Sequence, residues 1–422
     1  MAATDPPPSR SGLRSLDAVN LFLAGALSGF GPYIAVFLAE QKWTQQNIGF
    51  VLTAGGLAGL LSQLPSGELL DAIRSKRVVV ASGAIMVATS ALIIALCPSF
   101  PLVLAALVLQ SITGGFLGLA IASISLGLVG HAPLGKRLGR NQRFASMGGV
   151  IAAGFMGVIG YFLSYRAIFF AAAALVLPLL AALGRIKLSG IDYGRVSGSL
   201  GGLSTRARRS SLWKNRDLLT FAGCEFLFQL GNASMLPLAG EALVYSKEAF
   251  SSLIVSALII VPQVVVALMA SSAGRRANTW GRRPLLLVGF AALPLRALVF
   301  AWTTNPMVLI AAQILDGVSG TMLGVLTALI IADLTNGTGR FNLALGLAGA
   351  ASGIGASLST SIFGLVVQRF GYTAGLLGIT AVGLMSVAIV MAFMPETKPS
   401  PFVRKPGARG LTWTRPTGAG AD

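Results

Sequence analysis

The sequence predicts an all-α polytopic membrane protein: twelve transmembrane helices in two six-helix bundles, related by a pseudo-two-fold axis along the membrane normal. Three observations predict it. Apolar runs long enough to cross a bilayer recur from end to end, one basic Gly- and Ser-rich interval divides them six and six, and short motifs return at a nearly constant offset. Of the 422 residues, 54% are hydrophobic and 11% charged, against roughly 25% charged in a soluble protein. No soluble interior hides that much apolar surface, so lipid must be the solvent for much of it.

Residues 1–17 begin "MAATDPPPSRSG", polar and proline-rich without the apolar core of a cleaved signal, and are expected to be a cytoplasmic tail. Spans one to six are expected near 18–39, 47–68, 77–97, 100–130, 141–163 and 166–184, making an N-terminal bundle over 18–184. Each run matches a hydrocarbon core of about 30 Å. Each must be helical, because lipid offers no partner to a free backbone N–H or C=O. Residues 185–216 include "SGSLGGLSTRARRSS" and are expected to be a flexible cytoplasmic linker. Spans seven to twelve are expected near 217–245, 249–271, 284–302, 306–332, 340–368 and 371–394, a C-terminal bundle over 217–394. Residues 395–422 form a second cytoplasmic tail.

The formal charge of +18 invites a nucleic-acid reading, which its distribution removes. With the N-terminus inside, 27 of the 32 cations fall on the cytoplasmic side of these spans. Such a bias sets orientation with both termini inside and favours anionic headgroups, not nucleic acid. Cys97 and Cys224 are far apart and His131 is the only histidine, so neither a disulfide framework nor a metal site is expected.

The halves echo each other. Between spans two and three the chain reads "GELLDAIRSKR", Gly67 to Arg77; between spans eight and nine it reads "GRRANTWGRR", Gly274 to Arg283. Gly274 follows Gly67, and Asn278 follows Asp71, by 207 positions. "QSITGGFLG" from Gln110 matches "DGVSGTMLG" from Asp316 at an offset of 206, and Gly139-Arg140 matches Gly339-Arg340 at 200. Three matches in register indicate a duplicated unit, and an even number of spans per unit makes the copies parallel.

The chain resembles the major facilitator superfamily over nearly all of its length. That family's loop signature between spans two and three reads approximately G-x-L-x-D-x-x-G-R-[KR]. Gly67, Leu69, Asp71 and Lys76 match it, with Arg74 where Gly is usual; in the second copy Gly274, Gly281, Arg282 and Arg283 match, while Arg276 and Asn278 replace Leu and Asp. The resemblance implies a secondary transporter whose spans one, four, seven and ten line a central cavity. The Gly-x-x-x-Gly pairs at Gly25, Gly55, Gly114, Gly320 and Gly349 suit closely packed helices, whether static or rocking.

Polar groups deep in a span are functional candidates by default. Gln110 and Asp316 lie roughly ten residues into spans four and ten, about 15 Å deep. Glu225, Gln229 and Asn232 share one face of span seven by their i, i+4, i+7 spacing. Glu225 is the first choice for a proton carrier, against a role in packing alone. Arg296 lies at similar depth in span nine and must pair, with Asp316 on the next span as partner; Asp316 is then a structural or gating acid, or else a proton or substrate site. The loop residues Gly67, Asp71, Arg74, Lys76 and Arg77, with Arg140, Asp333 and Arg340, form a candidate cytoplasmic gate. In the family the loop Asp contacts nearby Arg and the N-terminal end of span eleven, so Asp71 is expected to latch to Arg140 or to that end, with Asp333 and Arg340 as a local second latch. The alternative is that these charges only set topology.

No G-x-x-x-x-G-K-[ST] loop is present, so ATP coupling is not expected and no cofactor is called for. The expected function is proton-coupled efflux of a small, neutral or weakly charged molecule across a bacterial inner membrane by a monomer. The efflux branch of the family usually has an Arg where Gln110 stands and a Gly-Pro pair in span five that is missing here. Proton-coupled uptake therefore stays open, as does a transport-inactive sensor or scaffold.

Overall fold

The structure, a computed structural model, describes residues 10–28, 31–73, 75–131, 133–186, 215–236, 238, 251–336 and 338–398, with two short strands at 403–404 and 413–414. Helices account for nearly all of it. The first half comprises α1 (Arg10–Ser28), α2 (Gly31–Glu40), α3 (Gln45–Ala72), α4 (Lys76–Leu96), α5 (Phe100–Val129), α6 (Leu134–Phe162), α7 (Tyr165–Ala174) and α8 (Val176–Gly184). The second comprises α9 (Arg216–Asn232), α10 (Ser251–Trp280), α11 (Arg282–Trp302), α12 (Pro306–Leu334), α13 (Phe341–Phe370) and α14 (Tyr372–Phe393). Ten helical segments among the described residues are long and apolar enough to cross a membrane, and α7–α8 together make one of them. The remaining two expected spans are one (α1–α2) and seven (α9 and the residues after it). Most of the linker, the end of span seven and most of the C-terminal tail lie outside the described residues.

Local chemistry explains the breaks. Pro178 has no N–H and would crowd the carbonyl four residues back, so span six restarts at Val176 with the proline in its first turn. Thr44, Ser164, Asn215 and Asn305 cap α3, α7, α9 and α12 by accepting from backbone N–H groups two or three residues on. Gly281, at φ 100°, makes the sharp reversal between α10 and α11 that an L side chain resists. Two helices begin earlier than their apolar runs: α1 at Arg10 and α6 at Leu134. Those extra turns carry Asp17, Arg137 and Arg140, which pair with one another, so apolarity alone does not mark them.

Each half has its own core. One cluster is built from α1 to α8; the other from α9 to α14, joined by Ala122, Leu126, Leu134 and Leu138 of the first half. Two seams join the halves, α3 against α13 and α6 against α10. Both are backbone-close at the cation-rich face. A Cβ at Gly67 would lie 2.5 Å from the Asn342 carbonyl oxygen, and one at Gly346 2.5 Å from that of Gln63. Gly139 and Gly274 likewise leave no room for a Cβ, which would strike Ala270 and Gly135. Since α10 repeats α3 and α13 repeats α6, the two seams are one contact made twice. Gly67 and Gly274, the duplicated pair, both serve that close approach.

Candidate functional site

A cavity of about 480 Å³ lies between the halves. Its first-half wall comes from α1, α5 and α6, including Asn20, Gly114, Gly118, Asn141 and Gln142; its second-half wall comes from α9, α12 and α13. Glu225 is the one ionisable residue in the described lining and is 4% exposed. Thr327 Oγ1 donates to its Oε1 at 2.6 Å and Ser352 Oγ to its Oε2 at 3.0 Å. Both donors are neutral, and among the described residues no cation pairs with the carboxylate.

The other sequence candidates scatter. Gln229 and Gln110 do not line this cavity: Gln110 sits one turn beyond Gly114, where it accepts from Ser111 Oγ at 3.4 Å. Asn232 shares a face with Glu225 but lies two turns further along, and there Arg296 fills the space. Arg296 Nη2 donates to Asn232 Oδ1 at 2.6 Å and Nη1 to Gln313 Oε1 at 3.1 Å; Gln313 Nε2 in turn donates to the Leu258 carbonyl at 2.9 Å. Arg296 also forms an ion pair with Asp316, whose side chain is 29% exposed where that of Arg296 is 4%. The cluster ties α9, α10, α11 and α12 together inside the second half, away from the central cavity.

The loop residues make a partner set that differs from part of the expectation. Asp71 Oδ1 accepts from the Asn342 N–H at 3.1 Å and from Asn342 Nδ2 at 2.7 Å, and Oδ2 accepts from the Leu343 N–H at 3.0 Å. An acid of the first half thus caps the N-terminus of α13 in the second, where the helix dipole favours it. Arg140 does not join Asp71. It pairs with Asp17 at 2.6 Å, because Asp17 stands on the early turns of α1 beside α6. Asp333 does not join Arg340 either; it takes Arg282 Nε at 2.9 Å, the two side chains being 4% and 3% exposed. Arg340 is buried at the N-cap of α13 and, among the described residues, pairs with neither acid. Lys76, fully buried, donates to the carbonyls of Leu70 and Ile73 and closes the C-terminal end of α3. Arg77 Nη1 donates to the Ile186 carbonyl at 2.9 Å, and Arg74 lies outside the described residues. In the second copy Asn278 faces the start of α6: a Cβ at Gly135 would lie 3.2 Å from its Oδ1. The equivalent positions therefore differ in charge, one an acid and the other an amide.

Removing Asp71 leaves two helix-terminal N–H groups and the Asn342 amide without their acceptor while the seam is closed. A lost cap costs about 0.5–2 kcal/mol and a buried unpaired donor about 1–3 kcal/mol. Asp71→Ala is therefore expected to raise maleimide labelling of a cysteine placed at the buried Ser66 by roughly tenfold or more. An unchanged labelling rate would show that the glycine seam holds without the acid.

A second network was missed in the sequence. Arg137 Nη2 meets Asp17 at 2.6 Å, Arg137 Nε donates to Asn141 Oδ1 at 2.7 Å, and Asn141 Nδ2 donates to Ser125 Oγ at 2.7 Å. It locks α1, α5 and α6 beneath the cavity, with one carboxylate shared between Arg137 and Arg140. The one available signal was Asp17 itself, an acid beside the start of a span. His131, in the loop before α6, is half-buried and burial lowers its pKa, so it is uncharged near neutral pH.

The family model described as Major Facilitator Superfamily matches residues 16–261 and 221–416. An uncharacterised MFS-type transporter of Mycobacterium tuberculosis, from strains CDC 1551 and H37Rv, is 35% identical over 392 residues, covering 91% of this chain and 93% of the relative. Among solved structures, the proton:xylose symporter XylE is similar at a TM-score of 0.72 and 16% identity, covering 92% of this chain and 97% of that one. The transporter FucP, solved in an outward conformation, is similar at 0.73 and 16%, covering 92% and 100%. These two likenesses are of fold.

Proposed function

The chain belongs to the major facilitator superfamily of membrane transporters, and from that premise we propose that it moves a small molecule outward across a bacterial inner membrane in exchange for protons. The observation that carries the reading is Glu225, the one ionisable group in the described lining of the cavity between the halves, held by two hydroxyls and, among the described residues, by no cation. A single carboxylate reachable by both solute and proton makes their binding competitive. Competition at one site is the simplest basis for antiport, since the solute leaves when the proton arrives. In this reading the cation-rich face and both termini are cytoplasmic. The Asp71 latch and the two glycine seams close that face while the cavity serves the other side. The protein works as a monomer, with lipid around both bundles. Arg296 and Asp316 hold the second half rigid as it rocks.

The test is counterflow in proteoliposomes against a panel of compounds, with an imposed pH gradient. Antiport predicts accumulation in inside-acidic vesicles when the external face of the protein faces inward, abolished by a protonophore. Accumulation of solute together with protons would instead establish uptake by symport, and a chain with no flux but a bound partner would establish a sensor.

A further inference from the structure

A second cavity, of about 410 Å³, lies further from the cation-rich face than the first. Along α6 the central cavity is lined from Leu138 to Ala145 and the second from Gln142 to Ala153; along α1–α2 the first runs from Asn20 to Leu27 and the second from Ala24 to Tyr33. The far wall of the second cavity is α10, through Ile259, Ile260 and Gln263. It therefore sits where α6 and α10 part, above their tight crossing at Gly139 and Gly274. The two cavities share Ala24, Gln142 and Ala145. Of these only Gln142 has a side chain long enough to stand between them.

The seat of that side chain is built from the other half. A Cβ at Gly324 of α12 would lie 2.9 Å from Gln142 Cδ and 3.0 Å from Nε2, so the amide packs flat on the bare backbone of Gly324. A residue of the first bundle thus bridges to the second at the junction of the cavities. We infer that the second cavity is an antechamber on the transport path, that the Gln142 amide is the door between it and the central site, and that the solute passing this door is an uncharged, largely apolar molecule with one or a few hydrogen-bonding groups. The solute class follows from the linings. The described lining of the antechamber carries the neutral polar groups of Tyr33, Gln142, Ser146 and Gln263 and no carboxylate or cationic side chain. The Tyr33 hydroxyl is engaged with the Ala153 carbonyl at 3.0 Å. A charged solute would lose its water there with no counter-charge in return. Glu225, on the other side of the door, is the one carboxylate in the described linings of the two cavities. The inference rests on the central cavity being the transport site.

The test uses the full chain in nanodiscs, with its two cysteines replaced (Cys97→Ser, Cys224→Ala) and one reporter restored at a time. Val150→Cys reports on the antechamber and Ala122→Cys on the central cavity. The probes are N-ethylmaleimide and the bulkier, equally uncharged N-phenylmaleimide. Val150→Cys should react with both, whatever stands at 142. At Ala122→Cys, Gln142→Ala should speed the bulky reagent by tenfold or more, and Gln142→Trp should slow both reagents. Gly324→Ala, which pushes the amide from its seat, should resemble Gln142→Ala and serves if either position-142 variant is unstable. A small anionic sulfonate thiosulfonate should label Ala122→Cys at least tenfold more slowly than its neutral methyl counterpart. Rates at Ala122→Cys that ignore residues 142 and 324 would overturn the door. Slower labelling at Val150→Cys than at Ala122→Cys would overturn the antechamber, and equal rates for anion and neutral reagent the solute class. Labelling needs no pH gradient, so loss of the antiport reading leaves these outcomes unaffected.

Discussion

Glu225→Gln is expected to lower pH-driven solute accumulation by roughly tenfold or more while leaving solute-for-solute exchange near the wild-type rate. The separation follows from what the substitution keeps. Gln has the same length and shape. Its carbonyl oxygen can accept from Thr327, and its amide can donate to Ser352, whose hydroxyl turns to accept. The cavity wall thus stays intact and the yield of folded protein should match the parent. What is lost is the exchangeable proton, because an amide stays neutral at any working pH. Exchange of solute across a pH-matched membrane needs only the rocking of the halves and should persist. Uphill movement driven by protons should not. If accumulation and its pH dependence are unchanged in proteoliposomes, Glu225 is a packing residue and the coupling group lies elsewhere. Thr327→Val gives a graded companion: it removes one neutral donor and should shift the pH at which flux is half-maximal without abolishing it.

What the sequence made legible, and what it hid, divides along a physical line. Spans, their number and the duplication are written in local apolarity and in matches at fixed offset, because lipid imposes the same demand on every crossing. The Arg296–Asp316 ion pair could be anticipated because a charge in an apolar span must find a partner and the next span offered one acid. The cavity partners of Glu225 could not. Thr327 and Ser352 lie 102 and 127 residues away, on two helices whose rotation about their axes decides which small polar residue faces inward. Many serines and threonines in those spans bond instead to their own helix, as Thr321 does to the Gly317 carbonyl. Of the two partners expected for Asp71, the start of span eleven is the one it meets, and Arg140 goes to Asp17 for a related reason. Asp17 stands on a helical extension that an apolar window reads as tail. Asp71, by contrast, was tied to the start of span eleven through the family's motif, and the structure resolves that contact into two backbone N–H groups and the Asn342 amide.

Asp316→Ala is expected to destabilise the second half by about 3–5 kcal/mol, and Arg296→Met by clearly less. The asymmetry comes from burial. Without Asp316, the guanidinium stays 4% exposed with only the amide oxygens of Asn232 and Gln313 and the Met235 sulfur around it. An uncompensated charge held there is costly, and it cannot escape by losing its proton. Without Arg296, the carboxylate is 29% exposed and can draw in water or take up a proton. Methionine keeps most of the arginine stem's volume, so little cavity cost is added. The double variant removes both charges and should unfold closer to the wild type than Asp316→Ala alone. The implied coupling is on the order of 2–3 kcal/mol, at the upper end for contacting residues. Thermal or denaturant unfolding of the purified variants in one detergent measures all four corners of the cycle. Additive losses would mean that the two charges stand independently, with Asn232 and Gln313 alone satisfying Arg296. Asp316 would then be free to act on solute or proton, and transport by Asp316→Asn would become the decisive measurement. Under the pairing argued above, Asp316→Asn keeps a hydrogen-bond acceptor for Arg296, recovers part of the stability lost in Asp316→Ala, and leaves proton coupling with Glu225.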